Sequence, residues 1–597
     1  MVTEQTSREF YKQQSSLARH WARDWRALAL TQVHYGSPSE GGTRAAREIV
    51  AIVFGKLKMA TSESVHDLLS RATRLMDERR TTEAAKVLRL AAIKEPSDPT
   101  VQMRLAVALW QGEHRADEAL VILERLTAAW PGNAVAHCVT AQVLNSLGHG
   151  RQAAAAAERA LEEDPCLSAA FIELVHAQAH GAASDRNLID RMRKTLELPQ
   201  LSAHSRRYLL LAIGRALERS GADREAFDAF QEAQAVAGGT LGTLIPWSVT
   251  GERRATQSLM EMFTPRLLAE YGGRGDPDER MIFVIGMPRS GTTLLARMLT
   301  AHSGVVSVDE TTAIGDLWRA GLSDHFHRRV DLNAALDGGL LKGAAREYFA
   351  MIAPRLRLGL AGGSRVVDKM NTNFKLAPLL VLLFPRARIL LMRRHPLDVG
   401  LSSFKGSFKY AYTRGLASMG EAYRVYAELM DHWCEVLGER VLTIQYEQLV
   451  ASPSVEIARV LSHCGLAFEP ACAFPPPEGG LVLTASVAQV RRPIDTKSVA
   501  RWRAVEAQLA PMIEAMGGMP WIEAQQARVW AKSQHGRPSA GAGKGGQAEL
   551  AASPERNVDS PSWLSPGLEG GMRQCMRMPL LIVLLLCGCM LCACELL

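Results

Sequence analysis

The sequence predicts a multidomain protein in which an α-helical solenoid precedes an α/β domain with a central parallel sheet. Three observations carry this expectation. Proline recurs at a near-constant spacing in the first half, with Pro96, Pro131, Pro165 and Pro199 lying 35, 34 and 34 residues apart. In the second half, short uniformly apolar runs take turns with helical patterns, as expected for strands covered on both faces by helices. The length of 597 residues, with 47% hydrophobic and 22% charged side chains, suits several globular domains and excludes both bulk disorder and a many-spanning membrane protein.

Residues 1–60 read as an N-terminal helical segment, and their start, MVTEQTSREFYKQQSS, has no apolar run after a basic region, which argues against a cleaved secretory signal. Over 61–240 the segments TTEAAKVLRLAAIKEP, ADEALVILERLTAAWP and GRQAAAAAERALEEDP align, each placing a small Ala (Ala84, Ala119, Ala153) where two helices would touch closely. Each Pro ends a second helix because it cannot continue one. This unit resembles the tetratricopeptide repeat, and the resemblance implies a superhelical array with a concave surface suited to peptides. The Pro199 unit is the irregular one.

Gly-rich text around residues 241–280, VAGGTLGTL and EYGGRGDPDER, reads as a linker. Residues 281–522 then form the second domain, whose strands are MIFVIG, VVSV, RVVDK, ARILLMRR and RVLTIQY. Beyond it, residues 523–571 contain QHGRPSAGAGKGGQAEL, a composition expected to be a disordered linker, and residues 572–597 form an apolar tail. Five of the ten cysteines crowd that tail (Cys575, Cys587, Cys589, Cys592, Cys594) and the rest are scattered, which is no disulfide framework and suits the cytoplasm. Met578 to Cys594 is uncharged over 17 residues, short of the roughly 20 that span a bilayer, so weak membrane association is the most expected of it. Lys plus Arg exceed Asp plus Glu by 69 − 62 = +7, a mild excess that suits an anionic ligand and is too diffuse to indicate nucleic acid.

The sharpest motif is IFVIGMPRSGTTLLARML. A buried strand ends at Gly286, a tight loop runs through Met287, Pro288, Arg289, Ser290 and Gly291, and Thr292 and Thr293 open a helix. Backbone N–H groups and the positive helix end then converge on one small volume, a phosphate site of P-loop-like design. Thr292 stands where a nucleotide P-loop has its phosphate-binding Lys, which disfavours Mg-nucleotide hydrolysis. Arg394 emerges at the carboxyl end of ARILLMRR, the edge where open parallel sheets bind ligands, and Ser402 follows eight residues later near a helix start.

Taken together, PRSGTT, RRHPLDVGLSS and VDKMN resemble the sulfotransferase superfamily, most closely its tyrosylprotein branch and bacterial proteins joining tetratricopeptide repeats to a sulfotransferase domain. The resemblance covers about residues 280 to 505 and implies 3′-phosphoadenosine 5′-phosphosulfate as co-substrate, with no metal required. It assigns the 5′-phosphosulfate to Arg289, Ser290, Gly291, Thr292 and Thr293, and the 3′-phosphate to Arg394 and Ser402, with Arg393 and Ser403 as the off-by-one alternatives. It makes Glu310, in Asp309-Glu310-Thr311, the general base, with Asp309 as the alternative carboxylate, and places Lys369 on the bridging oxygen of the leaving phosphate. Tyr446 in IQYEQLV resembles the family's KYEDL segment, and Ser486, Arg492 and Arg501 resemble the segment that closes over the donor. Asp-Lys-Met-Asn replaces the tyrosylprotein branch's Asn-Lys-Asp-Pro, which leaves acceptor contacts near Asn371 open.

The expected activity is transfer of a sulfuryl group to an acceptor hydroxyl, on a protein or peptide bound by the repeats or on a glycan; lipids and small alcohols or phenols remain open. Two rival readings are a nucleotide-dependent phosphotransferase and a peptide-binding scaffold with an inactive second domain. No H-E-x-x-H, no G-x-S-x-G and no metal-like His constellation stands in the sequence.

Overall fold

The computed structural model describes residues 63–77, 80–177, 182–236, 245–328, 332–337, 339–356, 364–406, 408, 410–475 and 494–534. The expectations for residues 1–60, for the 572–597 tail and for the linker beyond 534 lie outside the described residues. Among the described residues, no helix is long and apolar enough to cross a membrane.

The repeats fold as helix pairs. Helices Thr81–Lys94, Ala116–Ala129, Gly150–Glu163 and Ala182–Leu196 each stop a few residues before one of the spaced prolines. Two of the same turns also start the next helix: Asp98 Oδ1 accepts from the Val101 amide at 2.8 Å, and Asn133 Oδ1 accepts from the Ala136 amide at 3.0 Å. Each caps one of the amides that a helix start leaves unpaired, so Pro and cap together set the repeat's punctuation. Ala84, Ala119 and Ala153 are fully buried at the helix contacts. Irregularity enters with Ser168–His176, which has only nine residues, and the array's last described pair is Ala203–Arg219 with Asp223–Ala235.

Two helices, Val249–Met262 and Pro265–Tyr271, stand in the stretch read as a linker. Between them Phe263 is fully buried, its ring 5.2 Å from Phe326 and 6.4 Å from Trp433. The flanking glycines are turn signals, while the apolar positions Leu259, Met262 and Phe263 carry the packing.

Among the described residues, five parallel strands, β1 (Met281–Gly286), β2 (Val305–Asp309), β3 (Arg365–Asp368), β4 (Arg388–Arg393) and β5 (Val441–Gln445), line up in the order β2-β3-β1-β4-β5. Every β1 residue is buried. Alternate residues feed two cores, Phe283 and Leu391 into one and Ile282, Val284, Leu390 and Ile444 into the other, as the two-residue period of a strand requires. The chain steps to one side of β1 for β2 and β3 and to the other for β4 and β5, so the order reverses at β1 and a crevice opens beyond the strands' carboxyl ends. After the sheet, helix Met519–Ser533 runs past the expected domain end at 522, with Ile522, Gln525 and Ser533 fully buried.

Loss of the Asp98 cap should destabilise the array selectively. Asp98→Ala is expected to cost about 1 kcal/mol in urea unfolding, and Asp98→Asn only a small fraction of that. Equal losses for both would show that the cap hydrogen bond is not what Asp98 contributes.

Candidate active site

Each strand passes a candidate residue to the same edge. β1 leads into the loop from Met287 to Gly291, β2 into Glu310, β3 into Lys369, β4 into Arg394 and β5 into Tyr446. Four of these five elements end one residue before the side chain in question, so parallel register alone brings widely spaced sequence positions together.

The loop is shaped by glycines with no room for a side chain. Gly286 has φ 152°, and a Cβ there would lie 2.6 Å from the Met392 carbonyl oxygen. Gly291, at φ 106°, would put a Cβ 2.5 Å from the Tyr446 ring. Arg289 itself adopts φ 75°, a left-handed conformation uncommon for a residue with a side chain and characteristic of functional turns. Its Nε donates to Ser402 Oγ at 2.9 Å. Ser290 is buried, its hydroxyl oxygen lacking a hydrogen-bond partner among the described residues, and Thr292 Oγ1 donates to Asn371 Oδ1 at 2.7 Å as the helix Thr292–Thr300 begins. Thr293 lies in the first turn of the same helix.

Geometry separates the two neighbouring arginines. Arg393 turns into the core, 2% exposed, 5.4 Å over the Tyr426 ring and 3.8 Å from Asp431. Arg394 turns to the loop, donating to the Arg289 carbonyl at 3.2 Å and to the Ser498 carbonyl at 2.5 Å, with its guanidinium 4.5 Å over the Tyr446 ring. Its Nε is buried without a hydrogen-bond partner among the described residues. Ser402 meets Arg289 whereas Ser403 is buried at 2% exposure. Arg289, Arg394, Ser402 and Tyr446 therefore form one cluster. Burial, followed by the charges of Arg394 and Arg215, pushes the Arg289 guanidinium down to about 10. Crowded cations with orphaned buried donors at Ser290 and Arg394 are the arrangement that an anionic phosphate group relieves.

A second cluster lies at the ends of β2 and β3. Lys369, 1% exposed, places Nζ 2.6 Å from Glu310 Oε1 and 3.3 Å from Asp309 Oδ1. Its amide donates to the Asp309 carbonyl at 3.1 Å, and Arg355 braces the β2 end by donating to the carbonyls of Val308 (3.1 Å) and Glu310 (2.8 Å). Both carboxylates face the lysine, and Glu310 makes the shorter contact. The Thr292–Asn371 hydrogen bond ties the β1 loop to the segment just after Lys369, so the two clusters share a frame.

Arg501 does not join Arg394; it pairs with Glu218 at 3.2 Å and Asp223 at 2.5 Å, both in the repeats. Ser486 and Arg492 lie outside the described residues. Three site neighbours escaped sequence reasoning. Asp398 accepts from the amides of Ala500 (2.8 Å) and Trp502 (3.1 Å), His395 stacks on Trp502 with ring centroids 5.0 Å apart, and Tyr348 donates to Asp368 at 2.8 Å. Both Asp398 and His395 stand inside RRHPLDVG, Asp398 as a polar interruption of the apolar helix Pro396–Phe404 and His395 as its N-cap; Tyr348 carries no local signal.

Residues 281–470 match the model of the sulfotransferase family. They form a sulfotransferase-family domain. A protein-tyrosine sulfotransferase of Drosophila melanogaster is 25% identical over 267 residues, which cover 40% of this chain and 52% of that protein. An uncharacterized protein of Aquifex aeolicus strain VF5 is 29% identical over 385 residues, 63% of this chain and 49% of that one. The match thus spans about half the length of these curated relatives. Among solved structures, the sulfotransferase domain of the Synechococcus PCC 7002 olefin synthase aligns at TM-score 0.30 and 19% identity, over 41% of this chain and 94% of its own length.

The sulfotransferase domain carries a buried acid that should be visible in its stability. Burial raises Asp368 from the usual 3.8 to about 7, partly offset by the hydrogen bonds from Tyr348 and the Met370 amide. Between those two values the folded protein holds a proton that the unfolded chain has released, so stability falls as pH rises from about 4 to about 7 and is flat above. Asp368→Asn should remove that slope in denaturant titrations across the window. An unchanged slope would show that Asp368 is ionised in the fold throughout.

Proposed function

We propose that this chain is a sulfotransferase that moves the sulfuryl group of 3′-phosphoadenosine 5′-phosphosulfate to an acceptor hydroxyl. The observation that carries the reading is the pairing, at one sheet edge, of a cation-rich loop cluster with a buried lysine–carboxylate pair, the two joined through Thr292 and Asn371. The donor supplies the sulfuryl group and a phosphate leaving group. Arg289, Ser290, Gly291, Thr292 and Thr293 bind the 5′ end through backbone amides, hydroxyls and one guanidinium. Arg394 and Ser402 hold the 3′-phosphate, and Tyr446 backs Arg394 with its ring face. Lys369 and Arg289 stabilise the charge that gathers on the leaving phosphate, where preorganised cations in a water-poor site act most strongly.

Glu310 takes the proton of the acceptor hydroxyl. Its side chain is 37% exposed, against 1% for Lys369, so it faces the side from which an acceptor arrives. The Lys369 contact fixes its position in the free protein. A protein or peptide is the acceptor class that best uses an adjoining repeat array, because such arrays present extended concave surfaces. The five cysteines outside the tail (Cys138, Cys166, Cys434, Cys464, Cys472) form no disulfide among the described residues, which fits a cytoplasmic setting, with the tail adding at most weak membrane association.

Two substitutions test the assignment from different sides. Glu310→Gln, which keeps shape and loses basicity, should lower turnover by about 10²- to 10⁴-fold with donor affinity nearly unchanged, and its deficit should shrink with more acidic acceptors. If Asp309→Asn abolishes turnover while Glu310→Gln is near wild type, the base is the other carboxylate. Arg394→Ala should weaken adenosine 3′,5′-bisphosphate by about 2 kcal/mol and leave AMP alone. Equal losses for both nucleotides would remove Arg394 from the 3′-phosphate site.

A further inference from the structure

The array's last helix pair packs on the helix that carries Ser402, Pro396–Phe404. Phe227 stacks on Phe404 with ring centroids 5.7 Å apart, and Gln234 Nε2 donates to the carbonyls of Phe404 (2.5 Å) and Gly406 (3.2 Å). Beside this apolar contact lies a group of charges. Glu218 Oε1 accepts from Lys405 Nζ at 2.6 Å and from Arg501 at 3.2 Å, and Asp223 takes the same Arg501 guanidinium at 2.5 Å. Burial alone would raise the Glu218 carboxyl, yet Lys405 and Arg501 hold it below its ordinary value. Glu218 also acts on the β1 loop at a distance: its charge raises the Arg289 guanidinium, while Arg215, on the same face of helix Ala203–Arg219, lowers it.

Arg501 belongs to a segment laid across the loop cluster. Arg394 donates to the Ser498 carbonyl, Asp398 accepts from the amides of Ala500 and Trp502, and Trp502 stacks on His395. Ala500 sits at φ 57°, a left-handed conformation that a residue with a Cβ adopts only when its surroundings hold it there. On one side the holding groups are Asp398 and Arg394. On the other, immediately after Ala500, they are Glu218 and Asp223.

We propose that Glu218 and Asp223, two carboxylates of the repeat array, are positioning residues for the donor site: by gripping Arg501 they hold the segment from Ile494 to Val505 against Arg394 and Asp398. This rests on the donor reading above. The array then serves as one wall support of the donor site in addition to presenting a surface of its own. Coupling of this kind is reciprocal, so occupation of the donor site tightens the array's grip on Arg501 by the same factor.

The test titrates adenosine 3′,5′-bisphosphate into the full chain and follows amide exchange at Ala500 and Trp502. Glu218→Gln with Asp223→Asn should weaken the nucleotide about fivefold, raise the donor KM with kcat at saturating donor little changed, and speed exchange at both amides. Asp223→Asn alone should show a smaller loss of the same kind, which covers failure of the double variant to fold. In an Arg501→Ala background, Asp223→Asn should shift neither readout, because Asp223 acts through Arg501. Unchanged or tighter binding with unchanged exchange would overturn the proposal, tighter binding by showing that the carboxylates compete for Arg501. If the wild-type chain binds no adenosine 3′,5′-bisphosphate, the donor reading falls, and the exchange measurement alone decides whether the carboxylates hold the segment.

Discussion

The structure depends on one constraint: all five strands run the same way. A strand buried on both faces cannot present chemistry along its length, since β1 has no exposed residue at all. Chemistry is pushed to the strand ends, and parallel pairing puts the five carboxyl ends on one edge. Glu310, Lys369, Arg394 and Tyr446 become neighbours for that reason, though 136 residues separate the first from the last (446 − 310 = 136). The β1 loop adds amides and Arg289 at the centre of the edge, where the strand order reverses.

Crowding like charges at that edge is unfavourable unless each is held by something else. The molecule solves this with paired supports. Arg394 lies on the Tyr446 ring, Arg393 is diverted into the core toward Asp431, and Lys369 is met by two carboxylates. Gly291 is required by one of these supports, because a Cβ there would collide with the Tyr446 ring that backs Arg394. A loop glycine and a strand-end tyrosine, far apart in sequence, are therefore one steric decision.

Much of this was legible beforehand because the signals were local. The proline spacing with its small alanines described helix pairs that the structure reproduces, and uniformly apolar runs such as MIFVIG announced buried parallel strands. GMPRSGTT announced its loop because only glycine suits the turns at Gly286 and Gly291. What stayed hidden depends on contacts across the fold. ARILLMRR points to Arg394 as its last residue and leaves Arg393 as an alternative; the contact of Arg393 with Tyr426 in the core separates the two. Arg501 reads as a loop cation in sequence, and its partners Glu218 and Asp223 precede it by almost half the chain. The helices in 241–280 were masked by their glycine-rich flanks.

On the proposed function, the strand-end cations form a site selective for a 3′-phosphorylated adenine nucleotide. Calorimetric titration of the wild-type full chain with adenosine 3′,5′-bisphosphate and with AMP, in chelator to remove divalent cations, tests it most directly. The bisphosphate should bind at least about tenfold tighter than AMP, since one charge-assisted contact is worth about 1.5–3 kcal/mol, with no requirement for Mg²⁺. Equal affinities, or binding only when Mg²⁺ is restored, would contradict it.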